Sequence, residues 1–528
     1  MKVRQSLILS SLLFLASVLL SPKWLVPLAA WVVPILLIRL FRTHTLWKAI
    51  LLVYIPTSLG GIIANYGVVP YPLPIFLGIL LLGGLFGLIP LLLDRWLHSR
   101  LPDLLATLVY PAAVVLLDYW TASGPQGVWG NVANTQYGFL PLMQLASVTG
   151  IWGIGFLIYW AGPMVNLLDE RWRQKASLRP AMLYGGLLLL VIAGGGIRML
   201  TAPQADKNIK VAGLSVNNLF ILQRMYEAEK GEPIMIPSRI SQSDPALAEL
   251  SSVYPAFFAE SSAPRFTPVL QAYEESLENL FQQSLRAVDE GAEVIVWSEG
   301  SVTCLKFMEQ DFIAMGQQFA AEHQVYLFFP MAVFLPDQFD TGQPYLENKV
   351  LSIDPQGTIL HTYYKNVPVP DLEPSVPGDG KLAVFATPHG KISPAICYDA
   401  DFPAMMRQLS ELDSELLVLP SGDWDAIDPI HGRMALIRGI ENGCAVLRPV
   451  NQARTLASDA YGRVLALDDF FADEDHLLIV DLPIQSVSTL YGRFGDWFVW
   501  VCGMILIVCC GLWIWTIVAQ RIKLRRTD

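Results

Sequence analysis

The sequence predicts an α-helical membrane domain of several spans joined to a soluble α/β domain. Apolar residues are concentrated in residues 1–200 and 497–519, whereas the middle of the chain has an ordinary content of charged residues. In that middle part, short β-rich runs alternate with amphipathic helical patterns. We therefore expect a membrane domain at 1–202, a soluble domain at 203–490, and a last transmembrane helix with a basic tail at 491–528.

The overall composition favours a membrane protein and argues against a nucleic-acid-binding protein. The chain has 528 residues, of which 53% are hydrophobic and only 16% are charged, which is too apolar for a soluble multidomain protein. The formal net charge is −11, and no basic patch with interleaved aromatic residues is evident. The six cysteines form no Cys-x-x-Cys pair. The sequence therefore indicates no nucleic-acid partner, no metal site, no cofactor and no disulfide framework.

Eight apolar segments are candidates to cross a bilayer as helices, which requires about 20 mainly apolar residues each. Prolines inside them, such as Pro111, would kink a helix rather than exclude it. Lys2 and Arg4 before the first segment are also typical of a signal peptide, but no clear cleavage site follows and another span begins at once. The predicted spans are residues 6–21, 24–40, 47–66, 72–93, 103–120, 141–167, 181–199 and 497–518.

Basic residues in the short loops predict the orientation of the chain, because Lys and Arg are retained on the cytoplasmic side. They fall in alternate loops, whereas the intervening loops have almost none apart from Lys23, and the 121–140 loop has none. We therefore expect both termini in the cytoplasm and residues 200–496 outside it. The basic residues concerned are Lys2, Arg4, Arg39, Arg42, Lys48, Arg95, Arg100, Arg171, Arg173, Lys175, Arg179, Arg521, Lys523, Arg525 and Arg526.

Strands and helices alternate in the soluble domain, which indicates a layered α/β sandwich. Amphipathic helices are predicted at 269–290, 310–322 and 431–442, and adjacent strand pairs surround turns such as Asp354-Pro-Gln-Gly357. The predicted strands are residues 209–216, 293–297, 325–329, 349–353, 358–364, 382–385, 392–397, 416–419, 445–449 and 477–480.

Residues 218–266 fit neither pattern and are rich in Pro, Ser, Ala and Glu. A long irregular stretch inside a compact domain is usually functional or mobile. Two interpretations remain open: a solvated surface excursion, or a lid or membrane-dipping arm inserted into the domain. The second is favoured by apolar residues near the start of the domain, namely Phe220, Ile221, Met225, Ile234, Met235 and Ile236.

Three predicted strands each end in one reactive group, Glu299, Lys365 or Cys397. Functional sites form outside the carboxyl ends of strands in open α/β sheets, so the three groups are expected to converge. A lone cysteine is usually a packed core residue. Beside an acid and a cation it becomes a nucleophile, because Glu299 takes the thiol proton and Lys365 stabilises the thiolate and then an oxyanion. Taken singly, the acid and the lysine are equally compatible with a loop charge or an ion pair.

The order Glu, Lys, Cys and its flanking residues resemble the nitrilase superfamily, which implies an αββα sandwich with a Glu-Lys-Cys triad. Within that superfamily, the spans before and after the domain are similar to those of apolipoprotein N-acyltransferases, and the resemblance covers nearly the whole chain. The segments Gly127–Trp160 and Pro420–Asn451 are also family-like. The motifs that carry the resemblance are Trp297-Ser-Glu299, Tyr364-Lys365 and Ile396-Cys-Tyr-Asp-Ala-Asp-Phe-Pro403.

The resemblance also implies supporting roles for residues around the triad. Glu373, eight positions after Lys365, stands where the family places a second acidic residue, although an exposed turn charge between two prolines fits its position equally well. Tyr398, through its backbone N–H, and Asp399 are expected to form the oxyanion site and its surroundings. The candidate substrate-binding residues are Trp297, Trp424, His431, Arg438 and Glu441.

The resemblance implies an acyltransferase that works by a ping-pong mechanism in the bacterial plasma membrane, with its catalytic domain on the periplasmic side. A phospholipid would acylate the cysteine, and the resulting thioester would acylate the N-terminal amine of a diacylglyceryl-cysteine lipoprotein. Two alternatives remain: a membrane-tethered carbon-nitrogen hydrolase of a small amide, and a non-catalytic lipoprotein-binding scaffold. Altered flanking motifs permit the scaffold, since Trp-Ser-Glu-Gly replaces the common Trp-Pro-Glu and Val-Pro-Asp-Leu-Glu replaces Pro-Phe-Gly-Glu.

Overall fold

In a computed structural model, the chain divides into a helical unit and an α/β unit. The helical unit comprises Met1–Ala202 and Phe494–Asp528, and the α/β unit comprises Pro203–Arg493. Lys2 and Arg526, which contribute to the predicted orientation, lie outside the described residues. The structure describes all residues except 1–2, 70, 206, 237–238, 240–244, 473–474 and 526–528.

The helical unit is formed by apolar helices joined by short connections. Its last helix, Trp497–Arg525, follows the α/β unit in the chain. The preceding helices are α1 (Val3–Val18), α2 (Pro27–Thr43), α3 (Leu46–Asn65), α4 (Leu73–Phe86), α5 (Leu88–Leu97), α6 (Asp103–Ala122), α7 (Leu140–Met143), α8 (Ala146–Thr149), α9 (Ile151–Arg173) and α10 (Arg179–Leu200).

Six helical segments of the described residues are long and apolar enough to cross a membrane. They correspond to six of the eight predicted spans. Helices α1 and α2 coincide with the other two but have only 16 and 17 residues, which is short for a full span. The prediction of one span at 141–167 is wrong at its start, because α7 and α8 are separate short helices and the long helix begins at Ile151. The six segments are Leu46–Asn65, Leu73–Leu97, Asp103–Ala122, Ile151–Arg173, Arg179–Leu200 and Trp497–Ala519.

Close backbone contacts and polar side chains hold α2 against its neighbours. A Cβ added at Gly162 of α9 would lie 2.6 Å from the Pro34 carbonyl oxygen, so only glycine permits this approach. One turn further along, the Asn166 side chain donates to the Ile35 carbonyl at 3.0 Å. Arg42 at the end of α2 donates to the buried Asp94 of α5 at 2.7 and 2.8 Å. Glycine contacts and polar contacts of this kind replace the hydrophobic effect inside a bilayer.

The α/β unit alternates strands and helices over most of its length. Its helices are α11 (Leu219–Lys230), α12 (Pro245–Ser251), α13 (Tyr254–Ala259), α14 (Thr267–Asp289), α15 (Glu309–His323), α16 (Pro403–Met406), α17 (Gln408–Glu411), α18 (Ile430–Asn442) and α19 (Leu490–Phe494). Its strands are β1 (Lys207–Leu214), β2 (Val294–Trp297), β3 (Val302–Leu305), β4 (Tyr326–Phe334), β5 (Leu346–Ile353), β6 (Ile359–Tyr364), β7 (Phe385–Thr387), β8 (Gly390–Pro394), β9 (Leu416–Val418), β10 (Ser421–Gly422), β11 (Ala445–Arg448), β12 (Val450–Asn451), β13 (Arg454–Ser458), β14 (Val464–Asp469) and β15 (Leu477–Ile484).

Two mixed sheets form the centre of this unit. The first has the strand order β15-β1-β2-β4-β5-β6, with β3 also paired to β4, and the second has the order β14-β13-β11-β9-β8-β7. Strands β1, β2 and β4 run parallel in the first sheet, and β8, β9 and β11 run parallel in the second. A two-residue parallel ladder joins β10 to β12 beyond the ends of β9 and β11. The carboxyl ends of these parallel strands therefore lie close to one another.

Alternate residues of the central strands face two different cores, as the pleat of a strand requires. In β2, Val294 and Val296 pack between the two sheets, where they share a core with residues of β8, β9 and β11. Ile295 and Trp297 point the other way and pack beneath α14 and α15. The predicted αββα sandwich is thus confirmed, since the core lies between two sheets and helices cover the outer faces.

Nine of the ten predicted strands occur with shifted ends, and so do the three predicted helices, whereas the strand predicted at 382–385 overlaps β7 only at Phe385. Residues 218–266 differ from the prediction of an irregular stretch, because they form α11, α12 and α13. Met225 and Phe257 of this segment are almost fully buried in the core that also contains α14. Met235, between α11 and α12, is 93% exposed. The segment is therefore partly structural, since its described helices contribute residues to the core.

Replacement of Gly443 by alanine should destabilise the α/β unit strongly. Gly443 ends α18 with φ 72°, and an added Cβ would lie 1.7 Å from the Val487 carbonyl oxygen. Gly231 ends α11 with φ 76° but has open space around it, so Gly231→Ala is a matched control. We expect Gly231→Ala to lower the thermal midpoint of the detergent-solubilised protein by about 3 °C, and Gly443→Ala by about 10 °C or more. Equal shifts would contradict the steric explanation.

Candidate active site

The predicted triad residues follow strands of both sheets. Glu299 lies two residues after β2 and Lys365 directly after β6 in the first sheet, whereas Cys397 lies three residues after β8 in the second. Backbone hydrogen bonds fix each position. The N–H of Cys397 donates to the Pro420 carbonyl at 2.9 Å, and the N–H of Glu299 donates to the Ser421 carbonyl at 3.2 Å. Two consecutive residues, Pro420 and Ser421 at the start of β10, therefore hold the backbone of the thiol and of the acid.

The Lys365 ammonium lies between two carboxylates. Its Nζ atom donates to Glu299 Oε1 at 2.8 Å and to Glu373 Oε1 at 2.7 Å, and the lysine side chain is only 1% exposed. Asn348 Nδ2 donates to the same two oxygens, at 2.7 and 3.3 Å. The second oxygen of Glu373 accepts the Val369 N–H at 2.7 Å. Glu373 is thus placed beside the lysine rather than on an exposed turn.

Cys397 is buried at the start of a 3₁₀ turn, Cys397–Asp401. Its φ of 45° lies in the left-handed region, which few non-glycine residues adopt. The Sγ atom donates to the Gly422 carbonyl at 3.6 Å. Burial raises the pKa of the Cys397 thiol, the charge of Glu299 raises it further, and Lys365 and Arg448 oppose part of this shift. These influences favour the neutral thiol over the thiolate.

The charges around Cys397 explain why the thiol keeps its proton at rest. Burial alone would lower the pKa of Lys365, but Glu299, Glu373 and Cys397 outweigh it and raise the pKa well above its usual value. The pKa of Glu373 is raised by burial and by Glu299, against the opposing charge of Lys365. One ammonium therefore already faces two acids, which leaves an excess of negative charge. A thiolate would add a third negative charge, so these charges favour the neutral thiol.

Asp399 connects the 3₁₀ turn of Cys397 to the segment that follows Lys365. Its carboxylate accepts the Tyr363 hydroxyl at 2.8 Å, the Val367 N–H at 2.9 Å and the Ile396 N–H at 3.1 Å. Burial raises the pKa of Asp399 to about 6, and Lys365 limits that rise. Asp399 therefore positions the turn without touching the reacting atoms, whereas Tyr398 is half-buried with its ring edge-to-face against Phe402.

Ser298 has a structural role in the Trp-Ser-Glu-Gly motif. Its N–H donates to the Leu214 carbonyl at 2.8 Å, a hydrogen bond that a proline in this position cannot make. Its hydroxyl donates to Asn451 Oδ1 at 2.7 Å, and Asn451 Nδ2 in turn donates to the Glu299 carbonyl at 3.3 Å. The departure from the usual motif thus adds hydrogen bonds that hold the acid in place.

Three of the predicted substrate-binding residues, Trp297, Arg438 and Glu441, are fully buried. Trp297 is fully buried beneath α14, where its indole donates to Ser284 Oγ at 2.9 Å. Arg438 and Glu441 of α18 are fully buried and lie 2.8 Å apart as an ion pair. Sequence order could not separate these residues from the site, because core and site residues alternate along β2 and α18. Trp424 is half-buried beside the site and keeps its candidate role.

A second charged cluster lies beside Cys397, and the sequence prediction missed most of it. It contains Asp401, Asp423, His431 and Arg448, all buried. Atoms of Cys397, Asp423 and His431 lie within 4.8 Å of one another, which is close enough to hold a metal ion. However, Arg448 Nη2 donates to both Asp423 oxygens at 2.8 and 2.9 Å and already supplies a positive charge there. The cluster therefore fits a charge network better than a metal site.

Comparison with known proteins gives the same division of the chain. The family model of the apolipoprotein N-acyltransferase N-terminal domain matches residues 7–164, and that of the carbon-nitrogen hydrolases matches residues 251–491. The apolipoprotein N-acyltransferase of Geobacter metallireducens is 24% identical over 74% of this chain and 71% of its own length. That of Pseudomonas syringae pv. tomato is 24% identical over 81% of this chain and 78% of its own.

Among solved structures, an amidase from Nesterenkonia sp. is 18% identical and covers 43% of this chain and 89% of its own, with a TM-score of 0.35. The two family models together span most of the chain and match its helical and α/β units in the expected order. Relatives named apolipoprotein N-acyltransferase that match about three quarters of this chain occur in several bacteria. The chain belongs to the apolipoprotein N-acyltransferase family, a membrane-bound branch of the nitrilase superfamily.

Proposed function

We propose that this enzyme transfers an acyl chain from a membrane phospholipid to the N-terminal amine of a diacylglyceryl-cysteine lipoprotein, with Cys397 as the nucleophile. The observation that carries the proposal is the buried ion triplet of Glu299, Lys365 and Glu373 beside that thiol. Together, the triplet and the thiol provide a proton acceptor, a cation and a nucleophile in one water-poor site.

The first half-reaction forms a thioester. Cys397 Sγ attacks the carbonyl carbon of a phospholipid ester while Glu299 accepts the thiol proton, and negative charge moves to the carbonyl oxygen. Lys365 and the backbone N–H of Tyr398 stabilise this oxyanion. When the intermediate collapses, the ester C–O bond breaks, the departing oxygen takes the proton from Glu299, and a lysophospholipid leaves.

The second half-reaction transfers the acyl chain to nitrogen. The lipoprotein amine attacks the thioester, Glu299 takes a proton from the nitrogen, and the C–S bond breaks. The proton then returns to the sulfur, so that an amide and the original thiol are formed. Water must be kept from the thioester during this sequence, because hydrolysis would waste the acyl chain.

We place both termini in the cytoplasm and the α/β unit on the outer side of the bacterial plasma membrane. The basic residues of the short loops support this orientation. Both lipid substrates have their acyl chains in the bilayer, which accounts for the attachment of a nitrilase-like fold to apolar helices long enough to cross a membrane.

We further propose that the segment between α11 and α12 limits the access of water to the site. Arg239 in this segment donates to Asp425 Oδ1 at 2.6 Å, and its guanidinium lies 4.4 Å from the centre of the Phe471 ring. Asp425 directly follows Trp424 and Asp423. These contacts support a position of Arg239, within the 218–266 segment, close to the loop that follows Gly422.

Substitution of Cys397 should abolish the covalent intermediate. We expect intact-protein mass spectrometry with a defined phospholipid to show an adduct of one acyl mass on the wild type and on Cys444→Ala, but none on Cys397→Ala. Cys444 is a matched control because it is buried in the same unit but outside the site. A diacylated lipopeptide should discharge the adduct onto its amine. If the adduct is discharged only to water, the protein is a hydrolase. If the wild type forms no adduct, the protein is a non-catalytic lipoprotein-binding scaffold.

Removal of the Lys365 charge should slow thioester formation by about 100- to 1,000-fold, because one oxyanion-stabilising group is lost. The variant is Lys365→Met, and the rate constant is measured in a single turnover by mass spectrometry. Lys349→Met is the matched control, since Lys349 is equally buried and also contacts two carboxylates, Glu309 and Glu347. If both variants lose activity equally, the loss reflects folding and not catalysis.

Loss of the Arg239 contacts should raise the fraction of acyl-enzyme that is lost to water. We expect Arg239→Ala to increase the ratio of free fatty acid to acylated lipopeptide several-fold without preventing acylation of Cys397. Arg265→Ala is the control, because Arg265 lies in the same segment, pairs with Glu229 and Glu260, and stacks on Phe266. An unchanged ratio in Arg239→Ala would contradict the proposal that the segment limits the access of water to the site.

A further inference from the structure

His431 has two acidic partners that belong to different loops around the nucleophile. Its Nδ1 atom lies 2.7 Å from Asp423 Oδ1, and its Nε2 atom lies 3.2 Å from Asp401 Oδ1. Asp401 ends the turn that begins with Cys397, and Asp423 follows Gly422, whose carbonyl accepts the Cys397 thiol. One imidazole ring therefore connects the segment that carries the sulfur to the segment that the sulfur contacts.

This connection requires the protonated ring. A neutral imidazole has one N–H and can donate to only one carboxylate, whereas the imidazolium donates to both. Burial alone would lower the pKa of His431, but the charges of Asp423 and Asp401 outweigh it and raise the pKa to about 9. Arg448 lies 3.1 Å from Nδ1 because both groups donate to Asp423. Two cations thus balance two carboxylates in a region without solvent.

Asp401 depends on this histidine. Its side chain is 1% exposed, its Oδ2 atom has no hydrogen-bond partner among the described residues, and its Oδ1 atom contacts His431. A buried carboxylate without a partner is costly, so the nucleophile turn would shift if the ring were removed. Asp423 has a second anchor in Arg448 and would remain in place. The loss of His431 therefore moves one loop relative to the other.

We propose that His431 is a positioning residue for the acyl transfer, and that its imidazolium holds the Cys397 turn against the Gly422–Asp423 loop so that Sγ faces the substrate carbonyl. This role rests on the proposed function of Cys397. It differs from substrate binding, because the ring is buried and both of its nitrogens are turned to protein carboxylates.

Two substitutions separate the two hydrogen bonds. The amide nitrogen of His431→Asn reaches the position of Nδ1 and keeps the bond to Asp423, while that of His431→Gln reaches Nε2 and keeps the bond to Asp401. Neither variant connects both loops. We expect each to slow acyl-enzyme formation about 100-fold, the effect of a displacement near 1 Å, with the half-saturating phospholipid concentration changed less than about twofold. His389→Gln, which removes another carboxylate-paired histidine of this unit, should have no effect.

The pH profile provides a second readout. The ionisable side chains that face the ring among the described residues are Asp401 and Cys397 from the nucleophile turn, Asp423 from its loop and Arg448 from β11. The ring is charged below its pKa and loses the second N–H above it, so wild-type acylation should fall as pH rises through about 9. The two variants should lack this fall. If neither variant folds, a wild-type profile without a fall near this pH overturns the proposal.

Alkylation of Cys397 by iodoacetamide tests the positioning role without any acyl donor. A released turn exposes the nearly buried sulfur, so both variants should be alkylated at Cys397 about tenfold faster than the wild type, although they are acylated more slowly. The proposal would be overturned if Cys397 in the two variants were alkylated no faster than in the wild type. It would also be overturned if either variant were acylated at the wild-type rate. If the wild type forms no acyl-enzyme with phospholipid, the proposed function fails, and the alkylation rates still decide the role of His431.

Discussion

The buried ion triplet of Lys365, Glu299 and Glu373 is the interaction on which the site depends. Placing a lysine almost completely out of water costs several kcal/mol unless carboxylates accompany it. Here two acids surround the ammonium, and Asn348 donates to both of them. The arrangement leaves an excess of negative charge, which favours the protonated form of Cys397. The stability of the buried Lys365 and the protonation of Cys397 therefore depend on the same charges.

The sandwich topology explains how distant residues reach this triplet. Glu299 and Lys365 end strands of one sheet and Cys397 follows a strand of the other, so the site forms only when both sheets pack together. The loop Pro420–Ser421 accepts backbone hydrogen bonds from both Cys397 and Glu299. A local distortion of that loop would displace the acid and the nucleophile at once, which couples the geometry of the site to the interior packing of the whole unit.

Much of this arrangement could be predicted from the sequence, because apolar strands that end in a single charged or nucleophilic residue are visible as patterns. Strands β3, β10, β12, β13 and β14 could not be recognised, since each includes polar residues. Helix α11 could not be recognised because Glu, Arg and Lys surround its buried residues Ile221, Met225 and Tyr226. The link from His431 to Asp401 joins residues 30 positions apart in sequence through a contact that no local pattern records.

Burial of the thiols has a consequence for the protein in the proposed orientation, which places the α/β unit outside the cytoplasm. That compartment favours disulfide formation, and thiolates are the species that exchange and oxidise. Burial raises the pKa of Cys304 and of Cys444 to about 12 and raises that of Cys397 as well. All three are free in the structure. In the proposed mechanism Cys397 ionises only during attack, so the environment that delays its reactivity also protects it from oxidation between turnovers.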